Sequence, residues 1–281
     1  MEIIQSSSVL KERIANCRVK GMSIGFVPTM GALHKGHLSL VSTSRSQCKV
    51  TVVSIFVNPT QFNDKNDLKN YPRTLENDAK MLENAGVDFL FAPSEQEMYP
   101  EPDNRIFNFG DIEKVMEGEH RPGHFNGVAQ IVSKLFDIVL PDKAFFGEKD
   151  FQQLAVIKQL VKLGNYPVVI VPCPIIREND GLAMSSRNML LSPEQRKSAV
   201  CISKALFESV NNAKALSIEE LKRSVVENIN ADPNLDVEYF QIVDDTYLKP
   251  IKTWAEPCAK VGCVAVRVGK IRLIDNIKYN S

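Results

Sequence analysis

The 281-residue sequence lacks an excess of either charge, because Lys plus Arg and Asp plus Glu both number 34. A protein that binds nucleic acid over a broad surface usually carries more basic than acidic residues. The balance therefore argues against a nucleic-acid partner, while it still permits a local basic pocket for a small anion.

Long hydrophobic runs and patterned cysteines are also missing. The apolar stretches near 50–57 and 168–176 are too short, or too interrupted by proline, to cross a bilayer. The first residues include Glu2 and lack the apolar core of a signal peptide. None of the six cysteines has zinc-ribbon or CxxC spacing. These absences predict a cytoplasmic protein with reduced thiols and no membrane partner.

Strand and helix patterns alternate through the first two thirds of the chain. Strands are predicted at 24–27, 50–57, 87–91, 143–146 and 168–171, and helices at 36–46, 75–85, 128–139 and 151–163. Repeated β-then-α units imply a parallel sheet covered on both faces. The fold class expected for residues 1–181 is therefore a Rossmann-like α/β domain.

The pattern changes after residue 181. Ser192-Pro193 predicts a helix start, and two helices (194–211 and 218–229) precede strands at 237–243, 263–268 and 271–274. Gly269-Lys270 fits a tight hairpin between the last two strands. Residues 182–281 are thus expected to form a smaller α+β domain.

Two histidines stand where the first strand should pass into a helix. His34 and His37 lie in the run 30–37, directly after the apolar stretch 23–27, and Gly31 and Gly36 would permit close approach of the backbone to a ligand. This edge of a parallel α/β sheet is where phosphates bind. Imidazoles placed there can stabilise charge that develops on a phosphate.

Two further clusters carry groups that suit a nucleotide. Lys149 and Asp150 follow the strand at 143–146, where Lys149 could contact phosphate. Asp150 could hold Mg²⁺ or could simply be the N-cap of the next helix, and both roles can coexist. Ser185, Ser186 and Arg187 form a candidate phosphate clamp at the predicted domain junction, although the same residues also suit a loop that enters a helix.

Amide side chains and a polar loop complete the candidate site. Gln61 follows a central strand, and only one of Gln152 and Gln153, which open a helix, is expected to face the site. Residues 58–71 are polar, and a mobile lid and a plain surface loop are equally compatible with them.

Five segments in this order resemble the pantoate–β-alanine ligase family, the pantothenate synthetases. They are residues 28–37, 56–62, 121–128, 146–150 and 180–188. The two-histidine motif alone is shared by a wider nucleotidyltransferase superfamily, whereas the five together are specific. One departure is Ala129-Gln130, where a threonine and an apolar residue are expected, and we expect it to affect packing rather than chemistry.

The resemblance implies ligation of pantoate and β-alanine through a pantoyl adenylate, with release of AMP and pyrophosphate. It implies ATP (a substrate) with Mg²⁺, a homodimer, and His37 as proton donor beside His34, Lys149 and Arg187. Gln61 would contact pantoate and β-alanine, Gln153 pantoate, and Asp150 the metal. The ATP site implied by the family comprises Met30, Gly31, Ala32, Leu33, His34, Lys35, Gly36, His37, Gly147, Glu148, Lys149, Asp150, Ile176, Met184, Ser185, Ser186 and Arg187.

Two kinds of alternative remain open from the residues alone. A nucleotidyltransferase that leaves the nucleotide on its product would use the same histidine motif, whereas an aminoacyl-tRNA synthetase lacks support because no basic tRNA-binding extension is present. A nucleotide-sensing or scaffold protein with a degenerate site should have lost at least one cationic cluster, and all are present.

Overall fold

The computed structural model describes residues 1–279, which form two β-sheets with their covering helices. The strands are β1 (Glu2–Ile4), β2 (Ile24–Thr29), β3 (Val50–Ile55), β4 (Phe89–Phe91), β5 (Lys143–Gly147), β6 (Val169–Cys173), β7 (Leu235–Asp244), β8 (Lys260–Val268) and β9 (Ile271–Tyr279). The helices are α1 (Ser7–Val19), α2 (Lys35–Gln47), α3 (Lys65–Asn70), α4 (Leu75–Asn84), α5 (Glu95–Met98), α6 (Glu117–His120), α7 (His124–Val139), α8 (Phe151–Leu163), α9 (Pro193–Asn212) and α10 (Ile218–Asn230). Short 3-10 turns lie at Pro59–Gln61, Gly110–Glu113 and Ser186–Leu190.

The first sheet has six strands in the order β1-β4-β3-β2-β5-β6, and every pairing is parallel. Alternate residues of its central strands enter different cores: Phe26 and Val52 pack with α1, α7 and α8, while Val27 and Val53 pack with α2 and α4. Because helices cover both faces, β2 and β3 are buried at nearly every position. The Rossmann-like prediction is confirmed.

The second sheet is antiparallel, in the order β7-β8-β9, and is packed against α9 and α10. Its hairpin turns at Gly269-Lys270 as predicted, with Val268 paired to Ile271. Leu182 belongs to this core. The boundary between residues 181 and 182 stays a prediction. Within residues 1–279, no helix combines the length and apolarity needed to cross a membrane.

Side chains on the second sheet bind residues of the segment 1–181. Glu117, in α6, accepts hydrogen bonds from Arg272 Nη2 at 2.7 Å and from the Tyr239 hydroxyl at 2.7 Å. On β9, Asp275 forms a buried ion pair with Arg177 at 2.6 Å. These contacts hold the two sheets in a fixed relation around the space between them.

The N-terminal elements β1 and α1 had no counterpart in the sequence predictions. Only Leu10 and Ile14 of α1 are buried, so its apolar periodicity is weak. Strand β1 has three residues and exists because it pairs with β4 at the sheet edge. The polar segment 58–71 also contains structure that was not predicted, namely the turn Pro59–Gln61 and helix α3, in which no residue is buried.

Candidate functional site

A cleft of roughly 1230 Å³, counted out to its open mouth, lies at the carboxyl ends of β2, β3 and β5. This is the position at which open parallel α/β sheets bind ligands. Its walls come from segments far apart in the sequence. The predicted site residues on the wall are Met30, His34, Gly36, His37, Gln61, Gly147, Lys149, Asp150, Gln153, Ile176, Met184, Ser185, Ser186 and Arg187.

The turn after β2 is fixed by a buried carboxylate. Asp78, on α4, accepts hydrogen bonds from the backbone N–H groups of Ala32 and Leu33, both at 2.9 Å. Ala32 has φ of 49°, in the left-handed region that non-glycine residues avoid. The two bonds from Asp78 offset this strain and so set the direction in which the chain enters α2.

His34 and His37 face each other across the start of α2, with ring centroids 4.1 Å apart. Nδ1 of His34 accepts from the Gly36 N–H at 3.1 Å, and Nδ1 of His37 accepts from the His34 N–H at 3.3 Å. Since both Nδ1 atoms are acceptors, a neutral imidazole at each position carries its proton on Nε2. A Cβ at Gly36 would lie 2.8 Å from the His34 ring, so a side chain there would displace this imidazole.

Both imidazoles are held neutral near pH 7. Burial, followed by the positive charge of Lys149, lowers the pKa of His34 to about 4. Burial, followed by the neighbouring His34 and then Lys149, lowers the pKa of His37 to about 3. The site therefore presents two Nε2–H donors beside a lysine, an arrangement suited to a polyanion.

The segment 147–150 brings a lysine and a carboxylate to the same cleft. Lys149 forms no salt bridge with any residue of the described range. Asp150 occupies the N-cap position of α8, but its side chain accepts no capping hydrogen bond. The neighbouring Glu148 points elsewhere, into an ion pair with Lys278 at 2.6 Å.

The serine-arginine segment is bonded directly to the histidine turn. The Ser186 hydroxyl donates to the Ala32 carbonyl at 2.9 Å, across 154 positions of sequence. Arg187 is paired with Asp67 of α3 at 2.8 Å and lies 5.6 Å from the Tyr71 ring centroid. The polar segment 58–71 thus contacts a predicted phosphate ligand of the cleft.

Two amide side chains, those of Gln61 and Gln153, also line the cleft. Gln61 is buried, and its amide nitrogen lies 3.0 Å from the Met30 sulfur. Gln153 lines the cleft, whereas Gln152 turns away to bind the backbone of residues 112, 115 and 117. Of the two adjacent glutamines, Gln153 is therefore the one that lines this cleft, and its binding of pantoate stays a prediction.

Five residues of the predicted ATP site are not on the cleft wall: Gly31, Ala32, Leu33, Lys35 and Glu148. The first three shape the turn instead. Their roles in binding stay predictions, as do those of the residues that do line the cleft.

The wall residues that were not predicted from the sequence include Asn58 and an apolar group on α7. Asn58 is fully buried and binds the Gly127 carbonyl at 3.0 Å and the Gln61 side chain at 3.2 Å. Helix α7 contributes an apolar wall of Val128, Ile131, Val132 and Leu135. The available signal was the composition of α7, which is apolar around most of its circumference and had to be buried. The unusual Ala129-Gln130 pair is buried outside the wall, where Gln130 binds the carbonyls of Asp103 and Arg105.

No cluster of three or more His, Cys, Asp or Glu side chains suited to a metal ion occurs across the described part of the chain. Mg²⁺ bound to nucleotide phosphates needs only one or two protein carboxylates. The Asp150 carboxylate, which makes no capping hydrogen bond, fits such an ion. The six cysteines are free thiols.

Comparisons with known proteins agree over the full length. A family model described as Pantoate-beta-alanine ligase matches residues 2–278. The pantothenate synthetase of Porphyromonas gingivalis is 55% identical over 279 residues, covering 99% of each chain. The structure of pantothenate synthetase from Thermus thermophilus has a TM-score of 0.93 at 42% identity and covers 100% of both chains. A Francisella tularensis pantoate-β-alanine ligase, complexed with β-γ ATP and β-alanine, has a TM-score of 0.84 at 38% identity, covering 99% of this chain and 97% of that one.

Proposed function

Because the chain belongs to the pantoate–β-alanine ligase family, we propose that it makes pantothenate in two steps through a pantoyl adenylate. In the first step a pantoate carboxylate oxygen attacks the α-phosphorus of ATP, the bond to the β-phosphate breaks, and pyrophosphate leaves. In the second step the free amine of β-alanine attacks the acyl carbon, the bond to AMP breaks, and the amine gives up a proton. The Francisella complex supports ATP and β-alanine as ligands.

One observation carries this proposal: three distant segments converge on a single cleft. The Ser186–Ala32 hydrogen bond joins the third segment to the first, and Lys149 of the second lies close enough to lower the pKa of both histidines. Attack on the α-phosphorus builds negative charge on the phosphates. Preorganised donors around such charge typically contribute about a hundredfold or more in rate each.

His37 and His34 would act first as neutral hydrogen-bond donors. With Nδ1 already occupied by backbone N–H groups, each ring offers Nε2–H to the phosphates. Bound polyphosphate would raise the pKa of these rings, since a nearby negative charge favours the imidazolium form. His37 could then supply the proton that the family resemblance assigns to it.

The part of the cleft lined by α7 and the two glutamines suits pantoate. This acid carries two methyl groups beside its hydroxyls and carboxylate, so it needs an apolar surface next to polar partners. Helix α7 supplies that surface through Val128 and Ile131, while Gln61 and Gln153 supply amide groups. The second step then depends mainly on orientation of the amine beside the acyl carbon.

Asp150 would hold Mg²⁺ together with the ATP phosphates, because its carboxylate is not used to cap α8. The ion would neutralise phosphate charge. Lys149, from the same segment, would place its ammonium group on the phosphates.

Residues 58–71 would form a lid that keeps water from the adenylate, which is a mixed anhydride. The Asp67–Arg187 pair and the packing of Arg187 near Tyr71 support this role. When ATP binds, its phosphates would compete with Asp67 for the guanidinium.

The test supplies pantoate, β-alanine and ATP and measures AMP and pantothenate, together with pantoate-dependent exchange of labelled pyrophosphate into ATP. His37→Ala should lose both activities at least a hundredfold. His120→Ala is the matched control, since His120 lies outside the cleft, stacked on Tyr239 at 5.4 Å. A product that retains the nucleotide would indicate a nucleotidyltransferase, and nucleotide binding without turnover would indicate a sensor. We also propose a homodimer, to be checked by light scattering.

A further inference from the structure

Asn276, on strand β9 of the second sheet, makes two hydrogen bonds to the lysine segment of the cleft. Its side-chain nitrogen lies 2.8 Å from the Glu148 carbonyl and 3.0 Å from the Lys149 carbonyl. Two neighbouring carbonyls can only accept, so the amide nitrogen rather than the oxygen must face them. Asn276 is 3% exposed.

Asn276 is itself held rigidly. Its backbone N–H donates to Asp275 Oδ1 at 2.7 Å, and its carbonyl accepts from Arg177 Nη2 at 3.2 Å. Arg177 also binds both oxygens of Asp275, at 2.6 and 3.0 Å. The buried Arg177–Asp275 ion pair therefore holds the backbone of Asn276 on both sides. This fixes the position from which the Asn276 side chain contacts residues 148 and 149.

We propose that Asn276 is a positioning residue for ATP activation: it fixes the peptide between Glu148 and Lys149 and thereby aims the Lys149 ammonium group at the phosphates. This inference rests on the proposed adenylation. A lysine side chain is flexible, so its useful direction depends on the backbone from which it starts. The peptide between Glu148 and Lys149 lies in the short connection from β5 to α8, and Asp150 is the residue that follows it.

A second contact between β9 and the same segment provides a control. Lys278 pairs with the Glu148 carboxylate at 2.6 Å, but its side chain is 54% exposed and it touches no backbone of the segment. Exposed pairs of this kind contribute little. Lys278→Met should leave the kinetics unchanged, whereas Asn276→Ala removes both bonds to the backbone.

The experiment measures KM for ATP and for pantoate separately. In Asn276→Ala, KM for ATP should rise about tenfold, because the Lys149 ammonium group starts from a displaced backbone, while KM for pantoate stays within about twofold. Asn276→Asp keeps the volume but turns acceptors toward the two carbonyls, so it should raise KM for ATP further. If the alanine variant does not fold, Asn276→Ser, which is smaller and uncharged, is the variant tested in its place.

A merely structural role would reduce the folded fraction, which lowers kcat and leaves both KM values unchanged. A fall in kcat with both KM values unchanged would overturn the proposal. An equal rise in both KM values, or the same rise in KM for ATP in Lys278→Met, would overturn it as well. If the wild-type protein shows no pantoate-dependent pyrophosphate exchange, the adenylate mechanism fails instead. In that case the affinity for ATP is measured by calorimetry for the wild type and for Asn276→Ala. Equal affinities would contradict the role proposed for Asn276.

Discussion

Gly127, in the first part of α7, sets the position of Gln61 through a close backbone contact. A Cβ built at Gly127 would lie 2.4 Å from the Thr60 carbonyl oxygen and 2.7 Å from the Gln61 nitrogen. Both atoms are backbone, so no side-chain rotation can relieve the collision. Ordinary contact begins near 3.4 Å, which means that the turn Pro59–Gln61 must retreat by about 1 Å in Gly127→Ala.

We expect this displacement of the turn Pro59–Gln61 to lower kcat/KM strongly and to change the free energy of unfolding only a little. Alanine is favoured over glycine inside a helix by about 1 kcal/mol, which partly offsets an overpacking cost of about 1–3 kcal/mol. A misplacement of about 1 Å at a substrate-binding group can cost about a hundredfold in rate. We therefore expect kcat/KM for pantoate to fall about a hundredfold, while KM for ATP changes little because Lys149 and Ser186 stay in place.

Steady-state ligation with varied pantoate, together with thermal unfolding, provides the measurement. Gly164→Ala is the control, since its Cβ would meet the Tyr166 ring 2.3 Å away, outside the cleft. This variant should lose stability and keep its kcat/KM. If Gly127→Ala kept kcat/KM for pantoate within about threefold of wild type, the reasoning that the turn positions Gln61 would be refuted.

Three further predictions concern charge and the lid. Burial alone would raise the pKa of Glu117, but its bonds with Arg272 outweigh burial and lower this pKa from 4.5 to about 2. Ionised Glu117 therefore stabilises the fold fully above about pH 4.5, and this stabilisation is lost as pH falls toward 2. Denaturant unfolding should show that the free energy of unfolding of the wild type falls by about 3 kcal/mol over that range because of this group. The Glu117→Gln variant should not show this part of the loss. Nitrogen NMR should find His34 and His37 neutral and protonated on Nε2 from pH 8 down to about pH 5, and an imidazolium at pH 6 would contradict the geometry. Asp67→Asn should release the proposed lid, residues 58–71, from Arg187 and raise the ratio of AMP to pantothenate above one. An unchanged ratio would mean that residues 58–71 are only a surface loop.

The sequence predicted the repeated β-then-α order because buried parallel strands are continuously apolar and helices are amphipathic, signals that are local. The bounds of α8 were found as predicted, and a helix does start at Ser192-Pro193, where the structure adds a capping box with Gln195. The short strand β1 could not be predicted, since its three residues are a strand only through pairing with β4. Helix α3 was missed because it has no buried face.

For the site, the residues with recognisable chemistry were visible in the sequence, and His34, Lys149 and Arg187 do lie around one cleft. Their supports were not visible. Asp78 and Asn276 are ordinary polar residues in the sequence, and they matter only because folding brings them to the backbone of residues 32–33 and 148–149.

Most of the helices and strands, and all of the groups with recognisable chemistry, followed from the sequence, because periodicity and side-chain chemistry are properties of short segments. The tertiary structure alone decided which groups meet, which histidine nitrogen is free, and that Arg187 is paired with Asp67. The physical reason is that hydrogen bonds and charge interactions depend on distances of a few ångströms, and contacts such as that of Ser186 with Ala32 span 154 positions of the chain.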